Sequence, residues 1–313
     1  MTTMSRRLAM AGAAAAAGLP LPNLATLAQA QTPASPPAAP AARHQRVVSA
    51  DGTGLSVQEW GNPNGLPVLL IHGFSQAHLS WFRQVTDPQL TAALRMVTFD
   101  LRGHGLSDKP TDIQAYQPAR PWADDVKAVI EATGLQRPVL AAWSYGGRVM
   151  CDYLLTHGTA GVAGLQFVDA VTNAALNATA PANPMAAGMV APDLATQIAA
   201  TRGFLRACFS RQPSAEDFET MVAFNAMMPA AIRRNLLGRP TPYGDLLKGL
   251  TLPVLVTHGR EDKAVVPAMG DYTIATVRGA KASWYDGVGH CPFWEDAPRF
   301  NAELLAFARS ARG

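Results

Sequence analysis

From Arg46 onward, short continuous apolar runs alternate with amphipathic helical stretches, and this alternation restricts the chain more than any other feature. Runs such as Pro67-Val68-Leu69-Leu70-Ile71 and Pro253-Val254-Leu255-Val256 lack the every-other-residue polarity of a strand with one wet face. They suit strands covered on both faces, as in a parallel sheet between helical layers. Strands are predicted over 46–50, 54–60, 67–71, 95–100, 137–143, 163–169, 252–258 and 281–285. The first two read as a hairpin divided at Asp51-Gly52. Residues 121–133 set Trp122, Val126, Val129 and Ile130 on one helical face and stop at Gly134. Residues 297–309 repeat the pattern with Phe300, Leu304 and Phe307. Such alternation predicts a doubly wound α/β domain with right-handed crossovers. With 313 residues, 48% of them hydrophobic, the chain can fill one large core.

The alternation fails between about Val171 and Leu247. No strand-like run occurs there, and helices are expected at 193–209, 215–228 and 230–237, with Ser214 capping the second and Gly238 following the third. A helical segment between two core strands has the position of an inserted lid, so 171–247 is read as a cap on a core of 46–170 and 248–313. It holds five of the eleven methionines: Met185, Met189, Met221, Met227 and Met228. Methionine adapts to an apolar pocket roof, and Met227 and Met228 are expected there beside Trp143. Ordinary packing between lid helices is the competing reading for each of them.

The first forty residues read differently. Arg6-Arg7 precedes a weakly apolar Ala-rich run from Leu8 to Ala17, and Ala28-Gln29-Ala30 offers a small-x-small cleavage site. Residues 1–30 are expected to be a signal peptide, similar to a twin-arginine leader. That implies transient contact with export machinery and signal peptidase, and a periplasmic or secreted product without stable membrane insertion. Residues 31–45 begin as a Pro/Ala tract and are expected to be a disordered spacer. Removing the two leader arginines takes the formal net charge from +3 to +1, which gives no footprint for nucleic acid or an anionic membrane. Three cysteines at scattered positions suggest neither a disulfide framework nor a metal site.

Chemistry concentrates at Val139-Leu140-Ala141-Ala142-Trp143-Ser144-Tyr145-Gly146-Gly147. An apolar strand runs straight into Ser144, and a helix with Val149, Tyr153 and Leu154 follows. A serine on so sharp a turn needs small neighbours two residues to either side, which Ala142 and Gly146 supply. The segment resembles the nucleophile elbow of the α/β-hydrolase fold superfamily, with Ala142 where the common pattern has Gly. The resemblance extends over most of the chain from about residue 46. Asp100-Leu101-Arg102-Gly103-His104-Gly105-Leu106-Ser107 looks like the family's turn after its fourth strand, and Gly289-His290-Cys291-Pro292-Phe293-Trp294-Glu295 like its closing segment. It implies an eight-stranded, mostly parallel sheet carrying a helical lid.

A serine needs a base, and the base needs an orienting group. Of seven histidines, His290 stands alone in a Gly-flanked loop between the last strand and last helix, at Asp286-Gly287-Val288-Gly289-His290. The family pattern places the acid in the loop Gly259-Arg260-Glu261-Asp262, where Asp262 matches. Glu261 is its nearest rival, and Asp169, at the end of an earlier strand, is the position used by some relatives. Oxyanion donors are expected in the backbone N–H groups of Tyr145 and Phe74.

Serine at 144 argues against dehalogenases and epoxide hydrolases of this fold, which carry Asp there, and Cys291 stands where hydroxynitrile lyases carry Lys. The resemblance implies a serine hydrolase of a small, largely apolar carboxylic ester or lactone, in the esterase and haloperoxidase-like branch. Carbon–carbon bond hydrolysis, amide or peptide cleavage, and a non-catalytic ligand-binding relative remain open. No metal, nucleotide or flavin motif is found, so no cofactor is expected.

Overall fold

In the computed structural model, which describes residues 42–178 and 180–312, the predicted alternation closes into one eight-stranded sheet. Its strands are β1 (Arg43–Val48), β2 (Gly54–Gly61), β3 (Leu66–Ile71), β4 (Leu94–Phe99), β5 (Val139–Trp143), β6 (Gly164–Val168), β7 (Val254–Gly259) and β8 (Lys281–Tyr285). The spatial order is β1-β2-β4-β3-β5-β6-β7-β8. Only β1–β2 and β2–β4 pair antiparallel, and every later neighbour is parallel. The Asp51-Gly52 turn forms as expected, with Gly52 at φ 87° and Asp51 Oδ1 accepting the Thr53 N–H at 3.0 Å.

The central strands β5, β6 and β7 are buried at every residue, which explains their lack of alternation. Successive side chains still point to opposite faces. Leu69, Ile71, Leu140 and Ala142 fall in one apolar cluster with the helix Ala119–Thr133, whereas Val68, Leu70, Val139 and Ala141 fall in another with the helix Ala297–Ser310. The first helix buries Trp122, Val126 and Val129 and ends on Gly134 at φ 64°. The second buries Phe300, Leu304 and Phe307.

One boundary needs correction. Strand β1 begins at Arg43, within the stretch expected to be spacer, and pairs Arg43 with Glu59, His44 with Gln58 and Gln45 with Val57. An edge strand is held by backbone ladder bonds, so its mostly exposed side chains need carry no apolar pattern. Residues 1–30, read as a leader, and 31–41 of the expected spacer lie outside the described residues.

Between β6 and β7 the described residues form no strand. They form the helices Asn183–Gly188, Leu194–Ala207, Ala215–Ala226, Ala230–Asn235 and Gly244–Gly249. Ser214 caps the third of these by accepting the Asp217 N–H at 3.1 Å, and Gly238 adopts φ 74°. No helix among the described residues is long and apolar enough to cross a membrane.

The strand order also fixes where a site can form. From β3 the chain passes to β4 on one side, and β5 then returns to pair with β3 on the other. This reversal opens a crevice at the carboxyl ends of β3 and β5, the usual ligand position in open α/β sheets.

Candidate active site

Register brings the two key loops together. Ile71 pairs with Ala142, so Gly73 follows β3 just where Ser144 follows β5. A Cβ on Gly73 would lie 3.0 Å from Ser144 Cβ and 3.4 Å from its Oγ. Glycine therefore leaves open the space against the serine hydroxyl. Ser144 itself holds φ 56°, ψ −119°, a conformation L-residues rarely adopt. The turn is over-determined: the Ser144 N–H donates to Val168 O at 3.0 Å, and Ser144 O accepts from both Gly147 and Val171 at 3.0 Å. A Cβ on Gly146 would meet Ile71 O at 2.6 Å and His72 O at 2.7 Å, which makes glycine obligatory there. Ala142, by contrast, is accommodated in the core.

The acid and base loops lie over the ends of β7 and β8. Their backbones are zipped together: Arg260 N–H donates to Tyr285 O and Glu261 N–H to Val288 O, both at 2.9 Å. A Cβ on Gly259 would sit in the Gly289 carbonyl, so the loops touch without side chains between them. This brings His290 Nδ1 to 2.7 Å from Asp262 Oδ2, with both groups buried. Asp262 Oδ1 accepts the Ala264 and Val265 N–H groups at 2.8 and 2.9 Å. Burial alone would raise the Asp262 carboxyl, but the charge and hydrogen bond of His290 outweigh it and hold the pKa below the ordinary value. A donating Nδ1–H leaves the His290 Nε2 lone pair free to accept a proton.

The link from this pair to the serine runs through Trp143. Its Nε1–H donates to His290 O at 2.8 Å, and the two rings stand 5.3 Å apart. No direct hydrogen bond joins the Ser144 hydroxyl to His290 among the described residues. Phe74 and Tyr145 flank the crevice with ring centroids 6.4 Å apart, and neither backbone N–H has a partner among the described residues. Both are therefore available as donors.

The rival acids are placed elsewhere. Glu261 is exposed. Asp169 is buried at φ 42°, its Oδ1 accepting the Gly259 N–H at 2.9 Å and its Oδ2 lacking a hydrogen-bond partner among the described residues. Burial, reinforced by the Asp262 charge, pushes its pKa well above the ordinary value, which favours the protonated form. Asp169, His258 and Asp262 offer ligand atoms within 4.8 Å of one another. As a metal set they fit poorly: Asp262 Oδ2 is committed to His290, and the His258 Nε2–H donates to Val265 O at 3.0 Å.

The remaining histidines have other partners. His72 receives the Leu101 N–H at 3.0 Å and His104 the Ser75 N–H at 3.1 Å. Burial lowers their pKa values to about 4 and about 3, so both are neutral braces for the loop after β3. This support was not among the expectations drawn from the sequence. Its available signals were a histidine at a strand end and the Arg102-Gly103-His104-Gly105 turn. His78 and His157 pair with Asp100 and Asp124, each at 2.9 Å.

The expected pocket residues separate. Trp143 lines a small apolar cavity of about 10 Å³, with Cys291 and Phe293 from the core and Leu205, Met221 and Phe224 from the helical insert. Met227 and Met228 do not line it. Met227 is 38% exposed on the surface, and Met228 packs into the core beside Ile232 and Leu236. The helix expected to run to 228 ends at Ala226, so Met221 lies on it while Met228 follows it, and only Met221 reaches the cavity. Cys151, Cys208 and Cys291 are free and buried, and burial raises each thiol pKa, so none is a ready thiolate.

The profile described as "Alpha/beta hydrolase family" matches residues 68–303. Among solved structures, the chain is similar to a protein described as an aryl esterase from Burkholderia cenocepacia, with 36% identity and a TM-score of 0.81. The match covers 86% of this chain and 99% of that one. An esterase from Rhodococcus sp. ECU1013 is 33% identical with a TM-score of 0.79, over 86% and 99% of the two chains. A bifunctional esterase/perhydrolase of Acinetobacter calcoaceticus is 29% identical, over 84% of this chain and 99% of its own.

Proposed function

The chain belongs to the α/β hydrolase family, and from that premise we propose that it is a serine hydrolase of small, largely apolar carboxylic esters or lactones. The observation that carries this reading is the buried 2.7 Å contact between His290 and Asp262, in a loop tied by Trp143 to the strained turn at Ser144.

In the proposed reaction the Ser144 Oγ attacks the acyl carbon and its proton passes to His290 Nε2. Asp262 keeps the Nδ1–H in place and stabilises the imidazolium. The oxyanion is received by the Phe74 and Tyr145 N–H groups, each worth about 2.7–4 kcal/mol of transition-state stabilisation. The protonated His290 then gives its proton to the leaving alkoxide, and water, activated by His290, hydrolyses the acyl-enzyme. The narrow apolar cavity beside Trp143, roofed by Leu205, Met221 and Phe224, favours short acyl groups and supports a lid role for the helical insert.

A fluorophosphonate probe tests the reading: it should label the folded protein at Ser144 and leave Ser144→Ala unlabelled. Absence of label on folded wild-type protein would overturn it. p-Nitrophenyl esters from acetate to octanoate, run beside simple lactones, then rank the acyl preference, with the shortest esters expected to react fastest. The sequence of residues 1–30 supports export of the folded chain by a twin-arginine-type route, to the periplasm or the medium. Mass spectrometry of the exported protein should find Gln31 at its N-terminus, and an intact leader would argue otherwise.

A further inference from the structure

The helical insert carries a second concavity away from the catalytic crevice. It is a groove of about 270 Å³ beside the helix Leu194–Ala207. Leu194 and Ile198 form its rim, 68% and 50% exposed and one helical turn apart on the same face. Thr201, Met228 and Arg233 are buried and form its floor. The walls between are mostly apolar, with Val222 and Ala226 contributed by the neighbouring helix and Gln197 as a polar member.

Arg233 is the unusual member. It is 4% exposed, yet no carboxylate lies within salt-bridge distance of it among the described residues. Its guanidinium meets neutral oxygens only: Nε–H donates to Ser75 Oγ at 2.9 Å, one terminal nitrogen to Asn225 O at 2.6 Å, and the other to Met189 O at a long 3.4 Å. A guanidinium has five N–H groups in a fork suited to a carboxylate, so donors remain unused. Burial lowers its pKa to about 10, which still leaves it charged at neutral pH. A buried cation without a counter-charge is costly unless something supplies one.

We propose that this groove binds a carboxylate with an unbranched apolar tail, the carboxylate on Arg233 and the tail along Ile198 and Leu194. Charge complementarity decides the head group. The exposed rim decides the tail, because two large apolar side chains left in water gain by covering it. The proposal does not rest on the catalytic reading, since neither Ser144 nor His290 takes part in it.

The probe is octanoate, titrated calorimetrically into the full chain, with octan-1-ol as the uncharged comparison. Saturable octanoate binding is expected, at least tenfold tighter than octan-1-ol. Arg233→Met should weaken it at least tenfold. Because Arg233 also supports Ser75 and Asn225, that variant could fail to fold, so Ile198→Glu provides an independent arm. Ile198 is half exposed, so the variant should keep the wild-type unfolding midpoint while a carboxylate beside the tail path weakens octanoate at least fivefold. Equal binding of octan-1-ol, or octanoate binding unchanged in either folded variant, overturns the proposal. So does sedimentation showing a dimer that Ile198→Glu dissociates, since that assigns the groove to a second copy. Loss of probe labelling at Ser144 leaves it standing.

Discussion

At the carboxyl edge of the sheet, Asp262, His290, Asp169 and His258 are all buried within two adjoining loops and two strand ends, and most of their partners are backbone groups of those same loops. Within this cluster burial raises the Asp169 carboxyl and lowers the pKa of His258, favouring the neutral form of each, whereas the His290 contact holds Asp262 below the ordinary carboxylate value. In the helical insert the buried ions work over long range. Arg239 reaches back to Asp152 at 2.6 Å and Tyr145 Oη at 3.0 Å, and Tyr243 Oη donates to Asp152 at 2.8 Å. These contacts fasten the end of the insert to the helix that follows Ser144. The contrast separates two ways of burying charge. In the edge cluster burial works against the charged forms of Asp169 and His258, and the geometry comes from local backbone. The insert keeps its cations charged and depends on particular distant partners, so losing one leaves an ion stranded.

The largest effect should come from Asp262, the carboxylate that His290 holds below its ordinary pKa. Asp262→Asn keeps the shape but can stabilise neither the correct tautomer nor the imidazolium of His290. Turnover of p-nitrophenyl acetate is expected to fall by about 10⁴-fold with little change in unfolding midpoint. Activity within tenfold of wild type would remove the distinction between Asp262 and its neutralised neighbours. Arg239→Met tests the other region, where the expected loss is in stability. Asp152 would be left buried without its cation, at a cost of about 3 kcal/mol by urea unfolding. Adding Asp152→Asn should recover part of that loss. No recovery would mean that packing, rather than charge, fastens the insert.

Asp100 sharpens the comparison because it is an edge carboxylate that stays ionised. Fully buried, it accepts the His78 N–H at 2.8 Å, His78 Nδ1–H at 2.9 Å and the Leu106 N–H at 2.9 Å. Burial pushes its carboxyl up, but the hydrogen bond and charge of His78, with the charge of His72, bring the pKa from 3.8 to about 2. A depressed folded pKa means stability that is present above the unfolded value and lost as pH falls. The contribution, about 2 kcal/mol, should be intact above pH ~5 and disappear between about pH 4 and 2. Asp100→Asn should lower stability at pH 7 and flatten its pH dependence across that window. An unchanged slope would show that other carboxylates carry the acid transition.

The same contrast explains what could be read in the sequence. Ser144, Asp262 and His290 stand out because local constraints mark them: small residues around the strained serine, glycines around the base, and a strand end before each loop. The sheet was legible for a similar reason, since strands buried on both faces advertise themselves as unbroken apolar runs. The start of β1 was not, because pairing Arg43 with Glu59 uses only backbone. Met227 and Met228 were misplaced because the helix expected to carry them stops at Ala226, and where the chain packs beyond it depends on distant partners. Arg239 and Asp152 are 87 residues apart and have no local pattern to connect them.

The smallest effect expected is the most discriminating. Asp169 is the alternative orienting acid and lies 3.7 Å from His258 Nε2, close enough to the Asp262 contact to feel its charge. If burial holds it protonated, then Asp169→Asn exchanges one neutral group for another of nearly the same shape, and the amide oxygen can still accept the Gly259 N–H. Activity should stay within about threefold, and stability within about 0.5 kcal/mol, the scatter of a substitution that breaks no contact. A loss as large as that of Asp262→Asn would mean that Asp169 is ionised and shares the orienting role. The Asp262 cluster would then hold two carboxylate charges rather than one, and the difference between edge and insert would shrink to the sequence distance between their partners.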